Sequence, residues 1–350
     1  MSFKGKFWIV VLLTFGAVIV TSLIAHLKPY RYFAPINHPS ADHVLYYQYM
    51  RKPVDVLIFG SSKVKYGVRM EIVREELDRA GMNQVTAAKL AVPGIVILGE
   101  YLVIRDLLRG PFRPRLLVLE VAERNFSRNA GRVINDLQAF GTPRDMASFL
   151  WREARPSERG KVLEGIIRGP YFTFNMVARM AAGFLGSKGR NAILETKPDL
   201  TPEMLEVLEQ DTWKKKREML CGIEADSVME RYDITPYMRN VTSALIRTVR
   251  ERGIDLVLVH FPYEHDYPAY CLAPGAKRKY DQFITGFSRK TGVEFMYYPA
   301  RSRYVGKREM YGDPEHLNKL GGMGFSRELV KDILIPHLKG KNLAKSVNPS

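Results

Sequence analysis

Cysteine is almost absent from this 350-residue sequence: Cys221 and Cys271 are the only two. Two thiols make no disulfide framework, neither lies in a C-x-x-C, and no His/Cys cluster has metal-ligand spacing. That excludes the thiol-disulfide redox motifs and the zinc-ribbon type of metal site, and no cofactor is expected. The two thiols are free to pair in an oxidising compartment or to stay single and buried. A Gly-x-x-x-x-Gly-Lys-[Ser/Thr] loop is also missing, which removes the common nucleotide cradle. Acidic residues are outnumbered, 37 against 53 basic, for a net charge of +16. The excess is spread over 105–115, 152–168, 214–217, 277–279 and 301–308 and builds no recognisable nucleic-acid module, so nucleic acid is not an expected partner. Anionic lipid headgroups or an acidic envelope polymer suit such a surface; a merely solvated basic surface is the bland alternative.

Long uncharged runs are scarce too, and the single one decides location. Residues 1–6 form a short leader with Lys4 and Lys6, and residues 7–25 carry no charge and are rich in Val, Leu and Ile. At about 1.5 Å of rise per residue that run spans roughly the hydrocarbon thickness of a bilayer. It is expected to be an uncleaved transmembrane anchor, with a cleaved signal peptide as the rival. Lys4, Lys6 and the terminal amine favour a cytoplasmic N-terminus, although Lys28 and Arg31 follow closely on the other side. The working part is then extracytoplasmic, on a single-pass inner or cytoplasmic membrane protein.

What is present reads as a folded chain, 46% hydrophobic and 26% charged, with room for one sizeable core. After a linker at 26–53, apolar strands are expected at 54–59, 85–91, 115–121, 255–261 and 293–297. Helical stretches are expected at 69–80, 95–108, 241–252, 277–290 and 321–338. Continuous apolar strands alternating with amphipathic helices imply a mostly parallel five-stranded sheet covered on both faces, a three-layer α/β/α arrangement of flavodoxin-like type. Residues 54–125 and 238–340 form this α/β domain. Residues 126–237 break the alternation and read as a helical insertion, with patches at 146–154, 172–184 and 202–220; residues 341–350 are a tail.

In such sheets, sites gather beyond the carboxyl ends of the strands. Two short motifs fall there or near the C-terminus. Gly60-Ser61-Ser62 ends the first apolar run and presents two hydroxyls, and Asp313-Pro314-Glu315-His316-Leu317-Asn318 supplies a histidine with a carboxylate three residues before it. A serine needs an adjacent base to become a nucleophile near neutral pH, and the base needs an orienting acid. Each piece has a structural alternative: a strand-ending turn that caps a helix, an Asp-Pro turn, a surface histidine. His260, inside a strand, reads as a satisfied core histidine. Glu120, at the end of an apolar strand, needs a partner if buried. Tyr263, Tyr267, Tyr270 and His265 follow the fourth strand, where they either line a substrate groove or complete the loop.

The order of these motifs resembles the SGNH (GDSL-like) hydrolase superfamily. Within it the chain is most similar to membrane-anchored members, the D-alanylation protein of teichoic-acid synthesis and the acetyltransferases of alginate-type exopolysaccharides, which often carry Gly-Ser-Ser after an N-terminal anchor. The resemblance covers 54–108 and 255–338. It implies Ser62 as nucleophile, His316 as base and Asp313 as orienting acid, with backbone N–H groups of Ser62 and Gly94 as oxyanion donors. Ser61 stands where the family usually has aspartate, and Ser61, Tyr263 and His265 are the expected substrate contacts. The family's Gly-x-Asn-Asp block is absent; Val121-Ala122-Glu123-Arg124-Asn125 replaces it, which leaves Asn125 as the candidate third donor. The resemblance implies a serine esterase or O-acyltransferase acting on an envelope polymer or exopolysaccharide, with a membrane-embedded acyl-donor protein as a possible partner. The alternative from another class is a non-catalytic envelope assembly protein that keeps the fold.

Overall fold

The computed structural model describes residues 54–109, 112–126, 232–272, 275–300 and 307–340, together with parts of 133–160. The expected leader, anchor, linker and tail, and the helical patches at 172–184 and 202–220, lie outside the described residues. The chain divides into two compact units, 50–133 with 197–350, and 1–49 with 134–196. In the second unit the described structure is chiefly one helix, α4 (Pro143–Arg152).

Among its described residues the first unit holds five strands: β1 (Val56–Gly60), β2 (Ala87–Ala91), β3 (Leu116–Glu120), β4 (Asp255–His260) and β5 (Glu294–Tyr297). All neighbours pair in parallel, in the order β2-β1-β3-β4-β5. That is the doubly wound flavodoxin-like order, with a switch point between β1 and β3. Each expected strand is present within two residues of its expected bounds. The central strands are buried along nearly their whole length, as a sheet covered on both faces requires.

Residues two apart share a face. Val56, Ile58, Leu116, Val118, Val257 and Val259 form one layer of the core with Val73 and Leu77 of α2 (Met70–Arg79) and with Phe325 and Leu329 of α8 (Lys319–Leu329). Leu57, Phe59, Leu117, Leu119 and Leu258 are equally buried on the opposite face. On that side α3 (Ile97–Arg109) and α5 (Pro236–Arg250) pack on each other, and α5 packs on β4. Helix α5 begins five residues before the expected start because Thr235 caps it, its hydroxyl accepting from Met238 N–H, and Pro236 sits where a missing N–H costs nothing. Helix α7 (Ala276–Thr291) ends at Gly292 and leads into β5. The expected helix over 321–338 is three pieces: α8, a π-helical turn over Val330–Leu334, and α9 (Ile335–Leu338). Cys271, at the end of the short α6 (Tyr267–Cys271), is buried and disulfide-bonded. No helix among the described residues is long and apolar enough to cross a membrane.

Candidate active site

The site begins where β1 stops. Gly60 is the last strand residue, and a Cβ there would lie 2.5 Å from Glu120 Cβ and 2.6 Å from its Oε2. Only glycine lets β3 bring a buried carboxylate this close. Glu120 Oε2 accepts from Ser61 N–H at 2.6 Å, the partner that a buried glutamate needed, and the bond ties the turn to the neighbouring strand. Ser61 then caps α1 (Ser62–Gly67), its Oγ accepting from Lys63 N–H. Its hydroxyl is thereby a helix cap. Ser62 is the first helical residue, so its own N–H has no intrahelical acceptor. Lys89, reaching across from β2, donates to the carbonyls of Val68 and Lys65 and so anchors the far end of α1.

The second half of the site is the segment from Tyr311 to Asn318. An antiparallel bridge between Tyr311 and Leu317 closes it into a loop. Asp313 Oδ1 accepts from the N–H groups of Glu315 and His316, both at 2.9 Å, so the carboxylate folds the turn that carries the histidine. The same carboxylate accepts from His316 Nδ1, 2.8 Å from Oδ2. Asn318 caps α8 by accepting from Gly321 N–H. A side chain at Gly321 would collide with the carbonyl of Met310, so a glycine is needed for α8 to start against the loop. From the β4 side, Glu264 N–H donates to Pro314 O at 3.0 Å and Tyr311 OH donates to Tyr263 O at 2.9 Å.

These two halves meet. Ser62 Oγ lies 2.7 Å from His316 Nε2. With Nδ1 turned to a carboxylate, the ring proton belongs on Nδ1, and Nε2 presents a lone pair to the Ser62 hydroxyl. The Tyr66 ring packs edge-on against His316, with centroids 5.3 Å apart. Desolvation pulls the His316 pKa down, but the Asp313 hydrogen bond and charge outweigh it, helped by Glu315 and opposed by Lys63; the net shift is upward from 6.5. Serine, imidazole and carboxylate in this order can remove a hydroxyl proton and store it as a stabilised imidazolium.

The other expected site residues divide. Gly94 occupies an exposed turn after β2, at φ +78°. Asn125 is buried in the short 3₁₀ turn Glu123–Phe126; its Oδ1 accepts from Ala122 N–H and its Nδ2 donates to Glu100. Both its polar atoms therefore serve the interior. Tyr263 is buried, its hydroxyl 2.9 Å from that of Tyr297, and Tyr267 is buried beside it. These tyrosines complete the core of the loop and do not line an open groove, because aromatic packing against His260 and each other takes their area. Burial also pushes the Tyr263 hydroxyl far above its ordinary range. His265 is exposed and paired with Asp266. His260 is fully buried, with Nδ1 on Phe261 O and Nε2 on Glu123 Oε2, each at 2.9 Å. Lys63, Arg124 and Glu315, which form a charged cluster next to the serine, were not singled out from sequence; a lysine in a polar loop carries no sign that it will be buried. Among the described residues no group of His, Cys, Asp or Glu is arranged to hold a metal.

No family model matches the chain, and no curated protein matches it. Among solved structures, a GDSL-like lipase from Bacteroides thetaiotaomicron VPI-5482 matches over 86% of this chain and 98% of its own, at 10% identity and a TM-score of 0.37. A likeness that loose carries no argument about this chain, and the site is read from its own geometry.

Proposed function

We propose that the protein is a membrane-anchored serine esterase or O-acyltransferase of SGNH type that moves acyl groups on an envelope polymer. The observation that carries this is the 2.7 Å approach of Ser62 Oγ to His316 Nε2, with Asp313 on the other ring nitrogen. His316 takes the hydroxyl proton as Ser62 Oγ attacks the acyl carbonyl. The tetrahedral oxyanion is held by the N–H groups of Ser62 and Gly94, and such preorganised donors are worth about 10²–10³ in rate each. Collapse expels the first alcohol, which receives the proton from His316, and leaves a Ser62 ester. Water or an acceptor hydroxyl then attacks that ester, again deprotonated by His316. Asn125 drops out of this scheme because Glu100 and Ala122 occupy its amide.

Location favours transfer over hydrolysis. The uncharged run at 7–25 would hold the enzyme beside a membrane-embedded acyl donor, and the +16 charge suits an anionic glycan acceptor. The disulfide-bonded Cys271 fits an oxidising, extracytoplasmic compartment. The test is detergent-solubilised full chain given p-nitrophenyl acetate, with acid quench and peptide mass analysis. An acetyl group on the Ser62 peptide, lost in Ser62→Ala, is expected. A folded protein that never acetylates would favour the non-catalytic assembly role.

A further inference from the structure

Between the acid and the base of the His316 loop sits a residue that the proposed chemistry does not use. Glu315 is 2% exposed and is held from two directions. Its Oε2 accepts from Arg124 Nη1, in the turn after β3, and its Oε1 lies 3.5 Å from Lys63 Nζ. Lys63 is the residue after Ser62. Its ammonium is buried, makes no hydrogen bond, and otherwise faces the rings of Tyr263 and Tyr267 at 5.6 and 5.7 Å. A buried ion cluster of this kind is a poor way to gain stability, since apolar residues of the same size generally do as well or better. What it does join is specific: the helix of the nucleophile, the end of β3 and the loop of the base.

We propose that Glu315 is a positioning residue, clamped by Lys63 and Arg124, that locks the His316 loop onto the Ser62 helix and sets the electrostatic balance at the base. This rests on the serine-histidine reading above. The charged groups that act on His316 are Asp313 and Glu315 on its own loop and Lys63 on α1, with Arg124 behind Glu315. Glu315 favours the imidazolium and Lys63 opposes it. Removing either charge therefore moves the base in opposite directions, a signature that loss of packing alone does not produce.

The experiment compares wild type, Glu315→Gln, Lys63→Met, Arg124→Met and Arg124→Lys in the full chain. Two readouts are taken: the rate of fluorophosphonate labelling at Ser62 across the histidine range of pH, and hydrogen exchange of residues 311–318. Glu315→Gln should lower the midpoint of the labelling profile and Lys63→Met should raise it. Arg124→Met should slow labelling at the high-pH plateau by about tenfold to a hundredfold, the cost of misplacing a catalytic group by an ångström or so. It should speed exchange of 311–318 by a similar factor, with Arg124→Lys recovering part of both. Unchanged midpoints in Glu315→Gln and Lys63→Met, or unchanged exchange in Arg124→Met, would overturn the clamp. Arg124 is at the partly exposed rim, so Arg124→Met serves even if Glu315→Gln does not fold. If wild type takes no label, the nucleophile assignment fails, and the exchange of 311–318 in Arg124→Met still decides the clamp.

Discussion

In the first unit the pairs His260–Glu123 and His316–Asp313 both lie near the carboxyl edge of one sheet, and they do opposite things. His260 gives both ring nitrogens to the interior, one to Glu123 and one to Phe261 O, and is 0% exposed. Both nitrogens are taken up by interior partners, so this ring has nothing left over for chemistry. His316 gives one nitrogen to Asp313 and turns the other to a hydroxyl. It also keeps 14% of its side chain in contact with solvent. Each ring gives one nitrogen to a carboxylate, Nε2 to Glu123 in His260 and Nδ1 to Asp313 in His316. The role is decided by what the second nitrogen faces, and by whether a proton arriving there has somewhere to go.

The sharpest way to break that contrast is at the serine. Ser62→Ala should abolish acylation outright, because among the described residues no other hydroxyl is hydrogen-bonded to His316 Nε2. Asp313→Asn keeps the size of the side chain but reverses its hydrogen-bond preference towards Nδ1, and a fall of about 10⁴ in acylation rate is expected. His260→Phe should leave the rate of a folded sample close to wild type while lowering stability by roughly 3–5 kcal/mol, since Glu123 is left charged and buried without its partner. Denaturant unfolding beside a labelling assay separates the two effects. Gly60→Ala should cost about 1–3 kcal/mol through overcrowding against Glu120, and should slow acylation because the Ser61 turn hangs from that carboxylate. His265→Asn, at an exposed position, should move neither measurement.

The two pairs also part company with pH. The His316 pKa is raised, so folding favours its proton: its contribution to stability is full below the ordinary 6.5 and is lost as pH rises through the folded value. Activity runs the other way, because only neutral His316 accepts a proton, and the acylation midpoint is expected above 6.5. Burial alone would raise the Glu123 pKa, but His260 and Lys63 hold it below the ordinary 4.5. Its contribution is present above that value and is lost as pH falls through the lower folded one. Acid should therefore unsettle the buried pair after it has already silenced the open one.

Much of the frame was legible. The strands were readable because parallel strands buried on both faces are written as unbroken apolar runs, such as Leu116 to Leu119, and their ends as Gly or Pro. Gly60-Ser61-Ser62 and Asp313 to His316 were readable because the chemistry needs those types in that order. Less legible was α1, six residues starting directly after β1 and too short to show a helical period. The start of α5 was signalled by Thr235-Pro236, outside the apolar periodicity that marked its body. Asn125 looked like a donor in sequence because nothing nearby in the chain announces that Glu100, 25 residues earlier, will take its amide. Nothing in the sequence marks Lys63 and Glu315 for burial, for the same reason: each is buried beside a partner 252 residues away in sequence, and only the fold brings them together.

One measurement tests the central claim most directly: fluorophosphonate labelling of the full chain, with the modified residue mapped by mass spectrometry, in wild type, His316→Ala and His260→Phe. The account predicts a label on Ser62 that His316→Ala abolishes and that folded His260→Phe keeps. A label elsewhere, a label that survives His316→Ala, or one that folded His260→Phe loses would contradict it.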